Sequence, residues 1–111
     1  MTSDRAPIYA DAFSLCEWLL ARIGDDSRVL ARHLCEDALL LLEAVGLALK
    51  GQQVVARLDE ADERLIVLRL KLRLAAARGL LTEEQLMCAY QFTDAVGRQL
   101  GGWLRPIGAS G

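Results

Sequence analysis

The sequence predicts an all-α protein, and three of its features favour this class. Only 5% of the residues are aromatic and only two are proline, a composition that is typical of helical bundles rather than sandwiches or barrels. Apolar residues recur at helical spacing in four segments, and short links separate these segments. The 111 residues suit one domain. We therefore expect residues 1–111 to form a single antiparallel up-down four-helix bundle.

The first two helices are predicted over about 7–23 and 27–50. The inward face of the first is expected to comprise Ala12, Leu15, Cys16, Leu19 and Ile23. Ser27 or Asp26 is expected to cap the start of the second helix, and Gly51 is expected to stop it. The second half of this helix is apolar around more of its circumference than a surface helix requires. This excess indicates that a partner covers part of it.

The third helix is predicted over about 58–78, where the chain is rich in leucine and arginine, and residues 52–58 are either a connection or a continuation into this helix. Residues 68–74 alternate like a strand, but leucine, arginine, lysine and alanine are strong helix formers, and Gly79 can end the helix. The helix has two apolar faces; one comprises Ile66, Leu70 and Leu74, and the other comprises Leu65, Leu68, Leu72 and Ala76. Because a helix with two apolar faces must bury both, we predict that copies of the chain form a homo-oligomer.

The fourth helix is predicted over about 83–104. Thr82 and Gln85 have the spacing of a capping box, and Leu81 can pack on Leu86 as a hydrophobic staple. Pro106 is expected to end this helix. Its inward stripe is expected to comprise Leu86, Tyr90, Thr93, Val96, Leu100 and Trp103.

Catalytic, metal and cofactor sites are not indicated by the sequence. His33 is the only histidine, and no Glu-x-x-His element or phosphate-binding glycine loop is present. Cys16, Cys35 and Cys88 lie far apart in apolar helical contexts, which is typical of reduced cysteines in a cytoplasmic protein. The longest apolar region is too short to cross a bilayer. We therefore expect no enzyme activity, no cofactor, no small-molecule substrate and no membrane partner.

The strongest candidate for an interaction site is a set of basic residues. Between Arg64 and Leu81 the chain has five basic residues and no acidic one. Compensation of the helix dipole explains part of this segregation, and a phosphate-contacting surface is the functional alternative. The chain lacks aromatic residues among these charges, so any binding of RNA or DNA should be electrostatic. The candidate residues are Arg69, Lys71, Arg73, Arg78, Arg98 and Arg105.

The second half of the chain resembles the Avd family, the accessory variability determinants of diversity-generating retroelements. These proteins are related to the four-helix-bundle proteins encoded in intervening sequences of 23S rRNA genes. The resemblance lies in Leu58-x-x-Ala61-Asp62-x-x-Leu65-x-x-Leu68-Arg69-x-x-Leu72-Arg73 and in Val96-Gly97-Arg98-x-Leu100-Gly101-Gly102-Trp103-Leu104. The first half is similar only in its helix pattern.

This resemblance implies a four-helix bundle that assembles as a ring-like homopentamer. It also implies binding to a reverse transcriptase and to nucleic acid, in support of mutagenic complementary-DNA synthesis and without catalysis by this chain. By match to the motif, Arg69, Arg73 and Arg98 would carry the basic surface of the family. The alternative is an oligomeric scaffold that binds only a protein partner, which the acidic pI of about 5.3 and the leucine-rich second helix favour.

Overall fold

The protein has four helices, and the prediction of an all-α fold is confirmed. The structure is a computed structural model that describes the backbone of residues 7–110 and the side chains of residues 7–104. Within these residues it contains no strand. The helices are α1 (Pro7–Ile23), α2 (Val29–Leu49), α3 (Val54–Ala77) and α4 (Glu83–Ser110).

Each helix packs against two others, as in a four-helix bundle. α1 contacts α2 and α4, while α3 contacts the same two helices, and the α2–α3 packing is the most extensive. Leucine, alanine, isoleucine and valine from all four helices form one buried cluster. The described chain measures 43 × 25 × 21 Å, so its longest dimension is close to the length of the longest helix, at about 1.5 Å per residue.

The predicted inward residues are largely those that the structure buries. All five inward residues expected for α1 are buried, as are Leu86, Thr93, Val96 and Leu100 of α4. Tyr90 is half-buried. The prediction for Trp103 is wrong, because 36% of this residue is exposed. Gln99 already contacts Asp11, one turn from the start of α1, so little of α1 remains to cover the next turn of α4.

Local chemistry sets most of the helix ends. Gly51 and Gly79 follow α2 and α3 with φ angles of +79° and +80°, a left-handed conformation that glycine adopts without steric cost. Thr82 and Gln85 form the predicted capping box, because each side chain accepts a hydrogen bond from the other residue's backbone N–H.

Two predicted helix ends are wrong. Arg28 occupies the N-cap position of α2 without a capping side chain, because the Asp26 carboxylate instead accepts hydrogen bonds from the backbone and guanidinium of Arg28. α4 continues past Pro106 to Ser110. A proline inside a helix removes one backbone hydrogen bond, yet α4 continues for four residues beyond Pro106. Residues 54–58 belong to α3, which begins after Gln53 in a left-handed conformation with φ of +48°.

Candidate interaction surface

One apolar face of α3 is buried in the folded chain, and the other is exposed. One face contributes to the core through Leu58, Ala61, Leu65, Leu68, Leu72 and Ala75. Residues Ile66, Leu70 and Leu74, here called the α3 stripe, are 55%, 66% and 52% exposed. Their spacing of four places them along one side of the helix. The described part of the chain therefore leaves a continuous row of large apolar side chains in contact with solvent.

A second exposed apolar surface lies where α1 packs on α2. Phe13, Leu20 and Leu39, here called the α1–α2 patch, are 43%, 44% and 45% exposed. Phe13 and Leu20 lie seven residues apart and bracket Cys16, whose thiol donates a hydrogen bond to the carbonyl oxygen of Ala38. This contact places Leu39 next to the exposed side of α1.

The sequence overestimates how much of α2 needs a partner. Of the large apolar residues in its second half, only Leu39 is exposed, and Leu40, Leu42, Leu47 and Leu49 are half-buried. The reason is that α2 packs on both α1 and α3, so the chain itself covers much of its circumference.

A buried carboxylate joins α2 to α3. The Asp37 side chain is only 7% exposed, and its Oδ2 accepts a hydrogen bond from Nζ of Lys71 at 2.7 Å. Nη1 of Arg64 lies 3.8 Å from Oδ1 of Asp37. His33 is exposed, and its Nδ1 lies 3.5 Å from Nζ of Lys71. The Lys71 ammonium therefore balances a buried charge of its own chain.

The guanidinium of Arg69 is likewise held within the chain. Nη1 of Arg69 donates a hydrogen bond to Oγ1 of Thr93 at 3.2 Å and also pairs with the Asp94 carboxylate. The same guanidinium lies over the ring of Tyr90, 5.0 Å from its centroid. These contacts tie α3 to α4, and they neutralise much of the positive charge that Arg69 presents to solvent.

The other candidate basic residues are more available for contact with a partner. Arg73, Arg78 and Arg98 are exposed, and none has an ion pair with a described residue. Arg73 lines an open groove of about 350 Å³ between the end of α3 and the start of α4, together with Glu83, Leu86, Met87 and Tyr90. The Arg105 side chain lies outside the described side chains.

The basic residues of α3 lie on two sides of the helix, as the helical spacing of Lys71 against Arg69 and Arg73 predicts. Arg69 and Arg73 lie on the side of α4, around Tyr90, and Arg98 follows Asp94 by one turn on that helix. Lys71 lies on the side of α2. Asp37 was not among the predicted residues. Its position within the apolar pattern of α2 was the available signal, because an ionised residue inside such a pattern needs a buried counter-charge.

Cys16, Cys35 and Cys88 are free, and only Cys16 is fully buried. Burial raises the pKa of the Cys16 thiol to about 11, with a smaller contribution from the neighbouring Cys35. Burial also raises the pKa of Cys35. Cys16 is therefore protonated near neutral pH and packs as a small apolar side chain.

Other classes of site find no support among the described residues. No group of three or more His, Cys, Asp or Glu side chains there is arranged to hold a metal ion, and none of the described helices has the length and hydrophobicity to cross a membrane. In comparisons with known proteins, no family model, curated protein or solved structure matches this chain.

Proposed function

We propose that this chain is a non-enzymatic accessory protein of a diversity-generating retroelement. In this proposal it acts in the cytoplasm as a homo-oligomer of antiparallel bundles, with the pentameric ring that the sequence resemblance implies. It binds a reverse transcriptase and nucleic acid, and it supports mutagenic complementary-DNA synthesis. Short connections between packed helices support the antiparallel order.

The observation that carries the proposal is the exposure of the α3 stripe. Three consecutive large apolar side chains on one helix face, each more than half exposed, are unfavourable in water and mark a surface that associates with another protein. Assembly of copies, which is one part of the proposed activity, requires such a surface.

Exposed arginines supply the electrostatic part of the proposal. Arg73, Arg78 and Arg98 project charge that the described chain does not neutralise. Assembly would repeat these charges once per copy, so that an otherwise acidic protein presents several basic positions to a phosphate backbone. Contacts of this kind are weakly selective for sequence, and they weaken as salt rises.

The test is retention of the cognate reverse transcriptase and of its template RNA by the immobilised chain, measured across a salt titration. The double variant Arg78→Glu with Arg98→Glu should lose RNA at lower salt than the wild type. Arg22→Glu with Lys50→Glu is the matched control, because it makes the same change in charge at exposed positions outside the candidate set. RNA retention that is independent of salt, or equal loss in both double variants, would contradict the electrostatic mechanism.

A scaffold that binds only protein is the second candidate, and one observation favours it. Two of the six candidate basic residues, Arg69 and Lys71, already pair with Asp94 and Asp37. Such pairs leave less positive charge for a phosphate backbone than the sequence implies. In the same experiment, a scaffold retains the reverse transcriptase in the Arg78→Glu, Arg98→Glu variant and retains no RNA in either protein.

A further inference from the structure

We propose that the α3 stripe of one copy packs on the α1–α2 patch of the next copy, in a head-to-tail contact. The inference rests on the proposed self-association and names the two surfaces that meet. Both surfaces are exposed and apolar, and they lie on different helices. A contact that joins them covers both at once, whereas a contact of α3 with α3 leaves Phe13 and Leu39 in solvent.

The two surfaces match in length. Ile66 and Leu74 lie eight residues apart on α3, a distance of about 12 Å along the helix axis. Phe13 and Leu20 lie seven residues apart on α1, a distance of about 10.5 Å. The most exposed residue of the stripe, Leu70, lies midway along its row. Leu39 fills the corresponding central position of the patch.

The flanking charges favour one alignment of the two surfaces. On α3, Glu63 and Arg73 flank Leu70, seven residues before and three residues after it. On α2, Arg32 and Glu43 flank Leu39, seven residues before and four residues after it.

If α3 of one copy runs parallel to α2 of the next with Leu70 on Leu39, Glu63 meets Arg32 and Arg73 meets Glu43. All four charged residues are exposed, and none has an ion pair with a described residue. The reversed alignment instead places Arg73 beside Glu36, and it leaves Glu63 and Arg32 opposite the uncharged Gly46 and Ala77. The parallel alignment therefore buries the apolar residues and forms two pairs of opposite charge, whereas the reversed alignment forms one.

A contact between two different surfaces has a consequence for assembly. Each copy carries one stripe and one patch, so each copy contacts two neighbours, and the assembly closes as a ring or grows as a filament. Arg73 then lies at the contact between copies, which leaves Arg78 and Arg98 as the exposed positions for nucleic acid.

The test is a mixing experiment with two variants, followed by native mass spectrometry. Leu70→Asp places a charge in the stripe, and Leu39→Asp places one in the patch. Each variant alone should be monomeric, since each lacks one of the two surfaces. A mixture should form one-to-one heterodimers, because the intact patch of the first variant binds the intact stripe of the second.

Several results would overturn this contact. If the Leu39→Asp variant assembles like the wild type, the α3 stripe packs on α3 of another copy or on a different surface. A mixture that stays monomeric shows that the two surfaces do not bind each other. If the wild-type chain is monomeric at high concentration, both this contact and the proposed self-association are wrong. Retention of the reverse transcriptase tests the rest of the proposed function separately. Far-UV circular dichroism checks that each variant is folded. The two single variants Leu70→Ser and Leu39→Ser, mixed in the same way, repeat the test with smaller changes.

Charge exchange tests the alignment. Glu43→Arg or Arg73→Glu alone should weaken assembly at low salt, and the two changes together should restore it. Asp25→Arg, an exposed position in the connection between α1 and α2, is the matched control and should leave assembly unchanged. Failure of the double variant to assemble better than either single variant contradicts the parallel alignment.

Discussion

Removal of the Lys71 ammonium should destabilise the monomer, because this charge balances a buried carboxylate. Asp37 is 7% exposed in its side chain, while Lys71 is 29% exposed. Lys71→Met keeps the apolar length of the side chain and removes only the charged group. The Asp37 carboxylate then stays largely excluded from water, with Nη1 of Arg64 at 3.8 Å as its remaining cation.

The expected decrease in the free energy of unfolding can be placed within a range. Removal of one partner from a fully buried ion pair costs about 3–5 kcal/mol, since the other charge is left uncompensated. Here the remaining arginine compensates part of the charge, and Lys71 is itself partly solvated. We therefore expect a decrease of roughly 1.5–3 kcal/mol in the free energy of unfolding. For a domain of this size it corresponds to a decrease in Tm of roughly 6–12 °C.

The assay is urea unfolding followed by circular dichroism, at one fixed protein concentration because association also stabilises the folded state. Arg64→Met is the matched control and should cost less, since its guanidinium is farther from Asp37 and more exposed. The double variant Asp37→Leu with Lys71→Met removes both charges, and it should be more stable than Lys71→Met alone. A Lys71→Met chain as stable as the wild type would refute the reasoning, and it would leave Lys71 free for a role in binding.

Three further predictions follow from burial and from hydrogen bonding. Leu68→Ala should cost about 2–5 kcal/mol in the free energy of unfolding because Leu68 is fully buried, whereas Leu70→Ala should leave the stability of the monomer nearly unchanged; urea unfolding of dilute samples distinguishes them. Cys16, whose pKa is about 11, should react with iodoacetamide at pH 7.5 more slowly than the other two cysteines, as peptide mass spectrometry will show, and rapid labelling of Cys16 would contradict its burial. The Asp26 carboxyl has its pKa lowered to about 2 by hydrogen bonds from the side chain and backbone of Arg28; any stability from this pair is present above the ordinary aspartate pKa and is lost as pH falls towards 2. Arg28→Ala should raise the midpoint of the Asp26 carboxyl in an NMR titration, and an unchanged midpoint would exclude the guanidinium hydrogen bonds as the cause, since the variant keeps the backbone N–H.

Local features of the sequence were sufficient to predict the number of helices, most of their ends and the two faces of α3. A glycine that needs a left-handed conformation, as at Gly51 and Gly79, or a capping box at Thr82, acts within one turn of the chain. The periodicity of apolar residues is likewise a property of one helix. One of these signals failed because a local alternative competed: Asp26 bound Arg28 in place of capping α2.

The ion-pair partner of each basic residue could not be predicted in this way, because it depends on which residues the packing of distant helices brings together. The sequence places Arg69 and Arg73 on one edge of α3 and Lys71 on another, but it does not give their ion-pair partners. In the structure Arg69 pairs with Asp94, Lys71 pairs with the buried Asp37, and Arg73 lies beside the groove at the end of α3. The sequence alone thus determined that α3 has a second apolar face. Only the tertiary structure decided which of its charges the chain neutralises itself, since an ion pair needs a partner within a few ångströms.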